Sequence, residues 1–292
     1  MLNALTIDVE DYFHVMAFSR QIRPQDWDHF PRRVDTNTNR LLEILAERKV
    51  FATFFILGWV ADKCPDLVRR IDQLGHTVGC HGYSHQAIYD GSPHDFRRDV
   101  RRAKAVIENL LGQHVASYRA PSYSITSKTS WALTVLAEEG FEYDSSIFPI
   151  SHDLYGIPNA PRFPYLKVLA DGRTIKEFPP STLRFCGTNF PIAGGGYLRL
   201  LPYGVTAAAI RILNNREKQP AMVYLHPWEI DPDQPRIDSS WLSRFRHYQN
   251  LKSTEKKLKY LLSDFSFASM EQVLAERALD VQPGPATARH AC

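Results

Sequence analysis

The feature that most constrains the fold is the alternation of short apolar segments with amphipathic segments of helical periodicity. The first apolar segment covers residues 4–8, and the first helical segment covers residues 35–49. The same order recurs, so that five such repeats are visible by residue 150. Strands that alternate with helices build parallel sheets, because each helix carries the chain back to the same edge of the sheet. The sequence therefore predicts an α/β fold around a parallel sheet.

The regular alternation is interrupted between about residues 148 and 202, where proline and glycine are frequent. This segment is interpreted as an insertion that shapes a cleft. A helix predicted for residues 203–214, an apolar strand at 221–225 and a late helix beginning near Thr254 restore the alternation. We expect one domain over residues 1–280, with residues 227–280 as an extension of the fold and residues 281–292 as a disordered tail.

Charge and composition limit the classes of partner. The 35 lysines and arginines oppose 32 acids, and a net charge of +3 gives no reason to predict nucleic-acid binding. The run of residues 97–102 holds four arginines, but Asp99 lies within it, so it is interpreted as a solvated helix face. No apolar run reaches membrane-spanning length, no secretory signal pattern is visible, and the four cysteines form no Cys-x-x-Cys pair. These patterns predict a cytoplasmic protein that does not span a membrane.

Residues capable of chemistry follow the predicted strands. In parallel α/β folds the carboxyl ends of the strands meet at one edge, where active sites form. Four strand ends carry such residues: Asp8, Glu10 and Asp11 after the first strand, His81 and His85 after the third, Arg119 after the fourth, and His226 after residues 221–225.

The two histidines and the acids are candidates for a metal site. His81 and His85 are four residues apart, and on a helical turn this spacing places both imidazoles on one face, where they can bind one divalent cation. The spacing alone is a weak signal, because histidines so placed are often surface or capping residues. Asp8 and Glu10 alternate along a strand and share a face, whereas Asp11 is expected on the turn beyond it. One acid would then bind the metal and another act as a base, unless the acids cap a turn or pair with arginines.

These segments, taken together, resemble the NodB-type polysaccharide deacetylases of carbohydrate esterase family 4. Five segments match the motifs of that family in order: Thr6-Ile-Asp-Val-Glu-Asp11, His81-Gly-Tyr-Ser-His85, Tyr118-Arg-Ala-Pro121, Tyr143-Asp-Ser-Ser146 and Tyr224-Leu-His226. The segments at residues 141–146 and 226–231 also resemble a subgroup that accompanies exosortase and exopolysaccharide loci. The resemblance implies a distorted, incomplete (β/α)7 barrel of the NodB type with a C-terminal extension.

The resemblance also implies roles for individual residues. Asp8 would be the general base, with Arg119 holding it ionised; His81 and His85 would bind the metal, and His226 would be the general acid. The usual adjacent pair of aspartates is here replaced by Asp8-Val-Glu-Asp11, so the carboxylate ligand is either Glu10 or Asp11. Histidine ligands favour Zn²⁺ as the divalent metal. Metal-activated water would attack an N-acetyl amide, and the His226 proton would leave with the amine.

Further residues are weaker candidates. Asp144 either orients His226 or has only a structural role, and Glu229 is a possible support residue. Four aromatic residues near the strand ends are candidate sugar platforms, although each one singly is better explained as core: Tyr12, Phe13, Tyr123 and Trp228.

The predicted substrate is an N-acetylated glycan, either a polysaccharide or a membrane-associated, lipid-linked sugar. Two alternatives to a carbohydrate deacetylase stay open. One is an allantoinase-like relative that acts on a cyclic amide or imide, and the other is a sugar-binding protein without turnover.

Overall fold

A computed structural model describes residues 1–192 and 194–282 of the protein. Twelve strands lie within these residues: β1 (Leu2–Val9), β2 (Thr53–Ile56), β3 (Thr77–Cys80), β4 (Ser117–Tyr118), β5 (Tyr143–Asp144), β6 (Tyr165–Val168), β7 (Thr174–Glu177), β8 (Thr182–Phe185), β9 (Thr188–Pro191), β10 (Met222–Leu225), β11 (Ser266–Ala268) and β12 (Asp280–Gln282).

The central sheet is mostly parallel. Its order is β10-β1-β2-β3-β4-β5-β7-β6-β12, and the run from β10 to β7 consists of seven parallel strands. Only the β6–β7 pair in this order is antiparallel, and β11 pairs with β1 in parallel. Strands β8 and β9 form a separate hairpin. The predicted α/β fold with a parallel sheet of about seven strands is confirmed.

Ten α-helices lie among the described residues: α1 (Val34–Arg48), α2 (Gly58–Lys63), α3 (Pro65–Gln73), α4 (Pro93–Leu111), α5 (Trp131–Glu138), α6 (Gly195–Leu200), α7 (Tyr203–Ile212), α8 (Trp241–Tyr248), α9 (Leu251–Asp264) and α10 (Met270–Ala275). Short 3₁₀ turns occur between them, including Pro121–Tyr123 and Pro227–Ile230.

Strand β1 lies at the centre of the fold because its neighbours cover it on both sides. It pairs with β10 along one edge and with β2 along the other, and its residues from Asn3 to Val9 are buried. A strand buried on both faces is expected to be apolar throughout. Asp8 therefore stands out as the one charged residue of this strand, which indicates a specific partner or a function.

Several elements differ from the predictions. Helix α9 begins at Leu251 rather than near Thr254, and helix α8 has no counterpart among the predicted elements. The segment of residues 148–202 supplies β7 to the central sheet as well as the β8–β9 hairpin. Val281 and Gln282, predicted to be disordered, pair with β6 as part of β12, and residues 283–292 lie outside the described residues. Among the described residues, no helix has the length and apolar character needed to cross a membrane.

Candidate active site

The carboxyl ends of neighbouring strands bring the predicted polar residues together. Glu10 follows β1, His81 follows β3, Arg119 follows β4 and His226 follows β10, while Asp8 is the penultimate residue of β1. These strands are close in the sheet order β10-β1-β2-β3-β4. Apart from His226, whose side chain is 17% exposed, these side chains are buried. The accessible imidazole therefore marks where a substrate would reach the cluster.

Glu10, His81 and His85 form the one group among the described residues whose geometry suits a metal ion. Their ligand atoms all lie within 4.8 Å of one another. Nε2 of His85 lies 2.7 Å from Oε2 of Glu10, and no other donor among the described residues bonds to that oxygen. Burial alone would raise the pKa of Glu10. His85, His226 and His81 together outweigh this effect and hold the pKa of Glu10 well below its usual range. Glu10 is therefore ionised and presents a free lone pair toward both imidazoles.

The two histidines converge because of a loop, not a helix. The prediction that His81 and His85 share the face of a helical turn is wrong: the segment is irregular, with positive φ at Gly82 and His85. Asp99 of α4 holds the loop by accepting hydrogen bonds from the backbone N–H groups of Tyr83 (2.7 Å) and Ser84 (3.1 Å). A Cβ at Gly82 would lie 3.0 Å from Oδ2 of Asp99, so the loop needs glycine there.

Backbone contact fixes the orientation of the His81 ring. Nδ1 lies 2.8 Å from the carbonyl oxygen of Arg119, so Nδ1 carries the proton and donates it. Nε2 is then the free acceptor, and burial lowers the pKa of His81 to about 4, which keeps the ring neutral. A neutral imidazole whose second nitrogen is tied to a carbonyl is the usual arrangement of a metal ligand.

Asp11 has a different environment from Glu10. Its Oδ2 accepts hydrogen bonds from the backbone N–H groups of Arg33 (2.7 Å) and Val34 (2.9 Å), and its Oδ1 accepts one from Tyr12 (3.0 Å). Burial raises the pKa of Asp11 to about 6, although these hydrogen bonds act to lower it. The carboxylate lies at the start of α1 and satisfies backbone donors there. Of the two acids left open by the sequence, the structure groups Glu10, not Asp11, with the histidines.

Asp8 is paired with Arg119 in the interior. Nη1 of Arg119 donates to Oδ1 of Asp8 at 2.7 Å and also contacts Oγ1 of Thr6 at 2.7 Å. The other guanidinium nitrogens donate to the backbone oxygen and the hydroxyl of Ser145. Burial alone would lower the pKa of Arg119, but the charge of Asp8, the hydrogen bond to it and the neighbouring Tyr123 and Tyr224 together raise the pKa above its ordinary value. Oδ2 of Asp8 stays directed toward Nε2 of His226, 3.8 Å away.

His226 is oriented by Glu229. Nδ1 of His226 lies 2.7 Å from Oε1 of Glu229, and Nε2 faces Asp8 and Oε1 of Glu10, the latter at 3.6 Å. Arg199 of α6 donates to the second carboxylate oxygen of Glu229 at 2.6 Å. Burial would lower the pKa of His226, but the hydrogen bond to Glu229 and the charges of Glu10, Glu229 and Asp8 raise it to about 9. The imidazole therefore carries a proton at neutral pH.

Asp144 does not orient His226, which corrects one of the two roles considered for it. Oδ1 of Asp144 accepts a hydrogen bond from Ser146 at 2.5 Å, and its strand pairs with β7 so that Asp144 lies opposite Glu177. Burial, together with the charge of Asp144 and a hydrogen bond to it, raises the pKa of Glu177 well above its usual range. A raised pKa favours the neutral form of Glu177 beside Asp144, and Asp144 lies within the β5–β7 strand pair.

Known proteins match this chain in two segments. Residues 26–143 match the family model described as Polysaccharide deacetylase, and this match includes His81, His85 and Arg119. The chain therefore carries a polysaccharide deacetylase domain. Residues 145–275, which include His226 and Glu229, match a second model, described as a domain of unknown function, DUF3473.

Relatives named as deacetylases match about a third of this chain. A peptidoglycan-N-acetylglucosamine deacetylase of Bacillus cereus is 31% identical over 97 residues, which are 32% of this chain and 35% of the relative. A chitooligosaccharide deacetylase of Sinorhizobium fredii is 36% identical over 104 residues, 35% of this chain and 47% of the relative. The matches thus span between a third and a half of the length of these relatives.

Solved structures share the fold of this chain. A Mycobacterium smegmatis protein classed with the polysaccharide deacetylases has a TM-score of 0.62 at 21% identity, over 97% of this chain and 93% of that one. A family 4 carbohydrate esterase from Streptomyces lividans, crystallised with acetate, has a TM-score of 0.51 at 15% identity, over 96% and 98%. At these identities the likeness concerns the fold.

The four aromatic candidates for sugar binding lie in the core. Tyr12, Phe13, Tyr123 and Trp228 are all buried, so none offers an open ring face to a sugar. Their burial gives no support to the expectation that they bind substrate. Trp228 has a different role: its Nε1 donates to Oε1 of Glu10 at 3.2 Å, and its ring stacks on His226 with centroids 5.1 Å apart.

Two residues of the site, Arg199 and Asp99, were not predicted from the sequence. Arg199 lies in the segment of residues 148–202, which was interpreted as a cleft-shaping insertion, and only the fold brings it to Glu229. Asp99 lies in the arginine-rich run interpreted as a solvated face, yet it holds the loop of the two histidines. Glu229, considered only as a possible support residue, carried a signal: it is three residues after His226 in a turn that Pro227 begins.

Proposed function

We propose that this protein is a metal-dependent hydrolase that removes N-acetyl groups from an N-acetylhexosamine-containing glycan. The observation that carries the proposal is the juxtaposition of three units around one accessible imidazole: the Glu10–His81–His85 group, the Asp8–Arg119 pair and the His226–Glu229 pair. Amide hydrolysis needs a stabilised oxyanion, a base for water and an acid for the amine. The Glu10–His81–His85 group would stabilise the oxyanion through a bound cation, Asp8 would be the base and His226 would be the acid.

The residues present fit a divalent cation. Oε2 of Glu10 is buried and has no donor other than His85 among the described residues, and Nε2 of His81 is left free by the contact of Nδ1 with Arg119. Two imidazoles and one carboxylate form a donor set typical of Zn²⁺ in hydrolases. A cation held there would polarise the acetyl carbonyl and increase the acidity of water. We propose Zn²⁺ as the cation and Glu10, His81 and His85 as its ligands.

Asp8 and His226 are the proposed proton-transfer residues. Asp8 is held in place by Arg119 through one oxygen, so that its second oxygen is available to accept a proton from water. His226 is protonated at neutral pH because its pKa is about 9, and Nε2 is the nitrogen that faces the site. It is therefore placed to donate a proton to the departing amine nitrogen. Glu229 stabilises the protonated imidazole ring of His226 through its other nitrogen, Nδ1.

The substrate class rests on the relatives. The Bacillus cereus relative acts on the N-acetylglucosamine of peptidoglycan, and the Sinorhizobium fredii relative acts on chitooligosaccharides. For this chain we propose an N-acetylhexosamine within an exopolysaccharide or its lipid-linked precursor, on the basis of the subgroup resemblance of residues 141–146 and 226–231.

The test is acetate release from N-acetylated oligosaccharides and lipid-linked sugars by the purified chain, with metal addition and with chelation. We expect activity that chelation abolishes and Zn²⁺ restores. Asp8→Asn should lose acetate release by several orders of magnitude while retaining the metal, because Asp8 is outside the ligand group. Activity that survives chelation, or an Asp8→Asn variant that turns over at the parent rate, would contradict the mechanism. Hydrolysis of a cyclic amide in place of these glycans would contradict the substrate class.

A further inference from the structure

Helix α8 presents large apolar side chains to solvent. The side chain of Trp241 is 77% exposed, that of Phe245 is 52% exposed and that of Leu242 is 41% exposed. Trp241 is the most exposed large hydrophobic residue in the described part of the chain. Apolar surface of this kind is unfavourable in water, and clusters of it mark interaction sites. Single exposed residues would need no explanation, but three within five positions of one helix do.

The apolar side chains form one ridge. Trp241 and Phe245 are four residues apart and therefore neighbours on the helix surface, with ring centroids 6.5 Å apart. Leu242 borders this pair. We call the exposed side chains of Trp241, Leu242, Arg244, Phe245 and Arg246 the α8 face.

Positive charge accompanies the ridge. Arg244 and Arg246 of the α8 face are both exposed, and residues 236–246 contain three arginines against one aspartate, Asp238. Tryptophan and phenylalanine favour the boundary between water and lipid, and arginines beside them attract anionic headgroups. The face therefore combines the two attractions that hold a peripheral protein on an anionic bilayer.

The α8 face is connected directly to the candidate active site. His247, the residue after Arg246, is buried and stacks on Trp228 with ring centroids 4.2 Å apart. Trp228 in turn stacks on His226 and donates to Glu10. From Trp241 to His247 the helix rises about 9 Å, less than two turns. A surface that received the α8 face would thus lie close to the proposed catalytic acid.

We propose that the α8 face docks this protein on an anionic lipid bilayer, so that the N-acetylated glycan it receives is carried on a membrane lipid. The part of this inference that concerns the glycan rests on the proposed function. The docking on the bilayer is independent of it. Charge favours the bilayer over a second copy of this chain as the occupant. Two copies joined symmetrically through this face would bring like charges of Arg244 and Arg246 together, whereas anionic headgroups complement them.

Vesicle cosedimentation of the full chain tests the docking. We expect binding to vesicles of equimolar phosphatidylcholine and phosphatidylglycerol, and weak binding to phosphatidylcholine alone. The variant Trp241→Ser/Phe245→Ser should bind the anionic vesicles more weakly by on the order of tenfold or more, because the apolar contact is lost. Arg244→Gln/Arg246→Gln should bind more weakly by about the same factor. The matched control is Phe185→Ser, which removes a 67% exposed ring from the β8–β9 hairpin and should bind as the parent does.

The outcomes separate the docking from the catalytic proposal. A parent that does not bind anionic vesicles, or a Trp241→Ser/Phe245→Ser variant that binds them as well as the parent, would overturn the docking. So would a concentration-dependent dimer of the parent that this variant abolishes, since a second copy would then occupy the face. Acetate release from soluble chitooligosaccharides without vesicles should be equal in all these proteins. Vesicle binding by a parent inactive on every glycan would support the docking and contradict the proposed function.

Discussion

Nδ1 of His226 lies 2.7 Å from Oε1 of Glu229, and this contact decides which nitrogen of the ring faces the site. Because Nδ1 is occupied, Nε2 is the nitrogen directed at Asp8 and Glu10. The same contact contributes to the raised pKa of His226, about 9, against the effect of burial. Arg199 helps to keep Glu229 ionised: burial raises the pKa of Glu229, but the charges of Arg199 and His226 and the hydrogen bonds with both together leave it below its ordinary value.

Glu229→Gln should shift the alkaline limb of the pH–rate profile to lower pH. A general acid works while it is protonated, so activity is present below the pKa of His226 and is lost as the pH rises through it. The amide removes a charge that stabilises the imidazolium, and the limb should move down by roughly one unit or more. A cation bound by Glu10 would lower the pKa of His226 in parent and variant alike, so the difference between them remains.

The measurement is kcat/KM for acetate release across the alkaline range, with thermal unfolding of each protein as the check on folding. Asp144→Asn is the control, because Asp144 is a buried carboxylate of the same region that does not contact His226. Its alkaline limb should coincide with that of the parent. A Glu229→Gln limb that also coincides with the parent would show that Glu229 does not set the protonation of His226.

Glu10 and Asp11 should respond differently to the same kind of substitution. Glu10→Gln should abolish stoichiometric metal binding, because an amide oxygen replaces the carboxylate within the group formed with His81 and His85. Asp11→Asn should retain the metal but lower the free energy of unfolding by about 1–2 kcal/mol, because it weakens the acceptor for backbone donors at the start of α1. Metal analysis of purified protein and urea unfolding measure the two effects. Retained metal in Glu10→Gln together with lost metal in Asp11→Asn would reverse the assignment.

Trp228→Phe should weaken metal binding while leaving the ring stack. Nε1 of Trp228 donates to Oε1 of Glu10 at 3.2 Å, and such contacts orient a carboxylate ligand. Loss of this donor should reduce Zn²⁺ affinity roughly tenfold, as measured by competition with a chromophoric chelator. Trp241→Phe is the matched control, because it makes the same exchange at a solvent-exposed position. Equal affinity in the two variants would remove Trp228 from the metal site.

The sequence predicted the parallel sheet and the residues at the strand ends because both follow from local patterns. An apolar segment followed by polar residues marks the end of a parallel strand, and the topology then brings Asp8, His81, Arg119 and His226 to one edge of the sheet. The choice between Glu10 and Asp11 could not be made in the same way. It depends on how the chain turns from β1 toward α1, where the backbone donors of that helix engage Asp11.

The incorrect predictions share a physical cause, which is that contacts between distant segments decide the outcome. The spacing of His81 and His85 is compatible with a helical turn, but Asp99 on α4 stabilises a loop in its place. Asp144 occupies a motif position that suggested a partner for His226, but its register places it opposite Glu177. Neither contact leaves a trace in the local sequence, because each depends on two elements meeting in space.

The Asp144–Glu177 pair should make folding stability depend on pH. In the unfolded chain both carboxyls ionise near their ordinary pKa values, whereas in the folded protein the pKa of Glu177 is raised by burial and by the charge of Asp144. The folded state therefore holds a proton that the unfolded state releases. The contribution of Glu177 to stability is fully present below its unfolded pKa and is lost as the pH rises toward its folded pKa. The loss is about 1.4 kcal/mol for each pH unit within that window.

Glu177→Gln should abolish this contribution, because an amide stays neutral at every pH and can still donate to Asp144. Relative to the parent, the variant should gain stability steadily as the pH rises from about 5 toward neutrality. Urea unfolding at a series of pH values gives the free energy of unfolding of the parent and of the variant. The contributions of the other titrating groups cancel in the difference between them. Glu142→Gln makes the same exchange at an exposed position next to β5 and should give a profile parallel to that of the parent. If Glu177→Gln were parallel to the parent as well, the buried pair would hold no proton, and both carboxylates would have to be ionised in the folded protein.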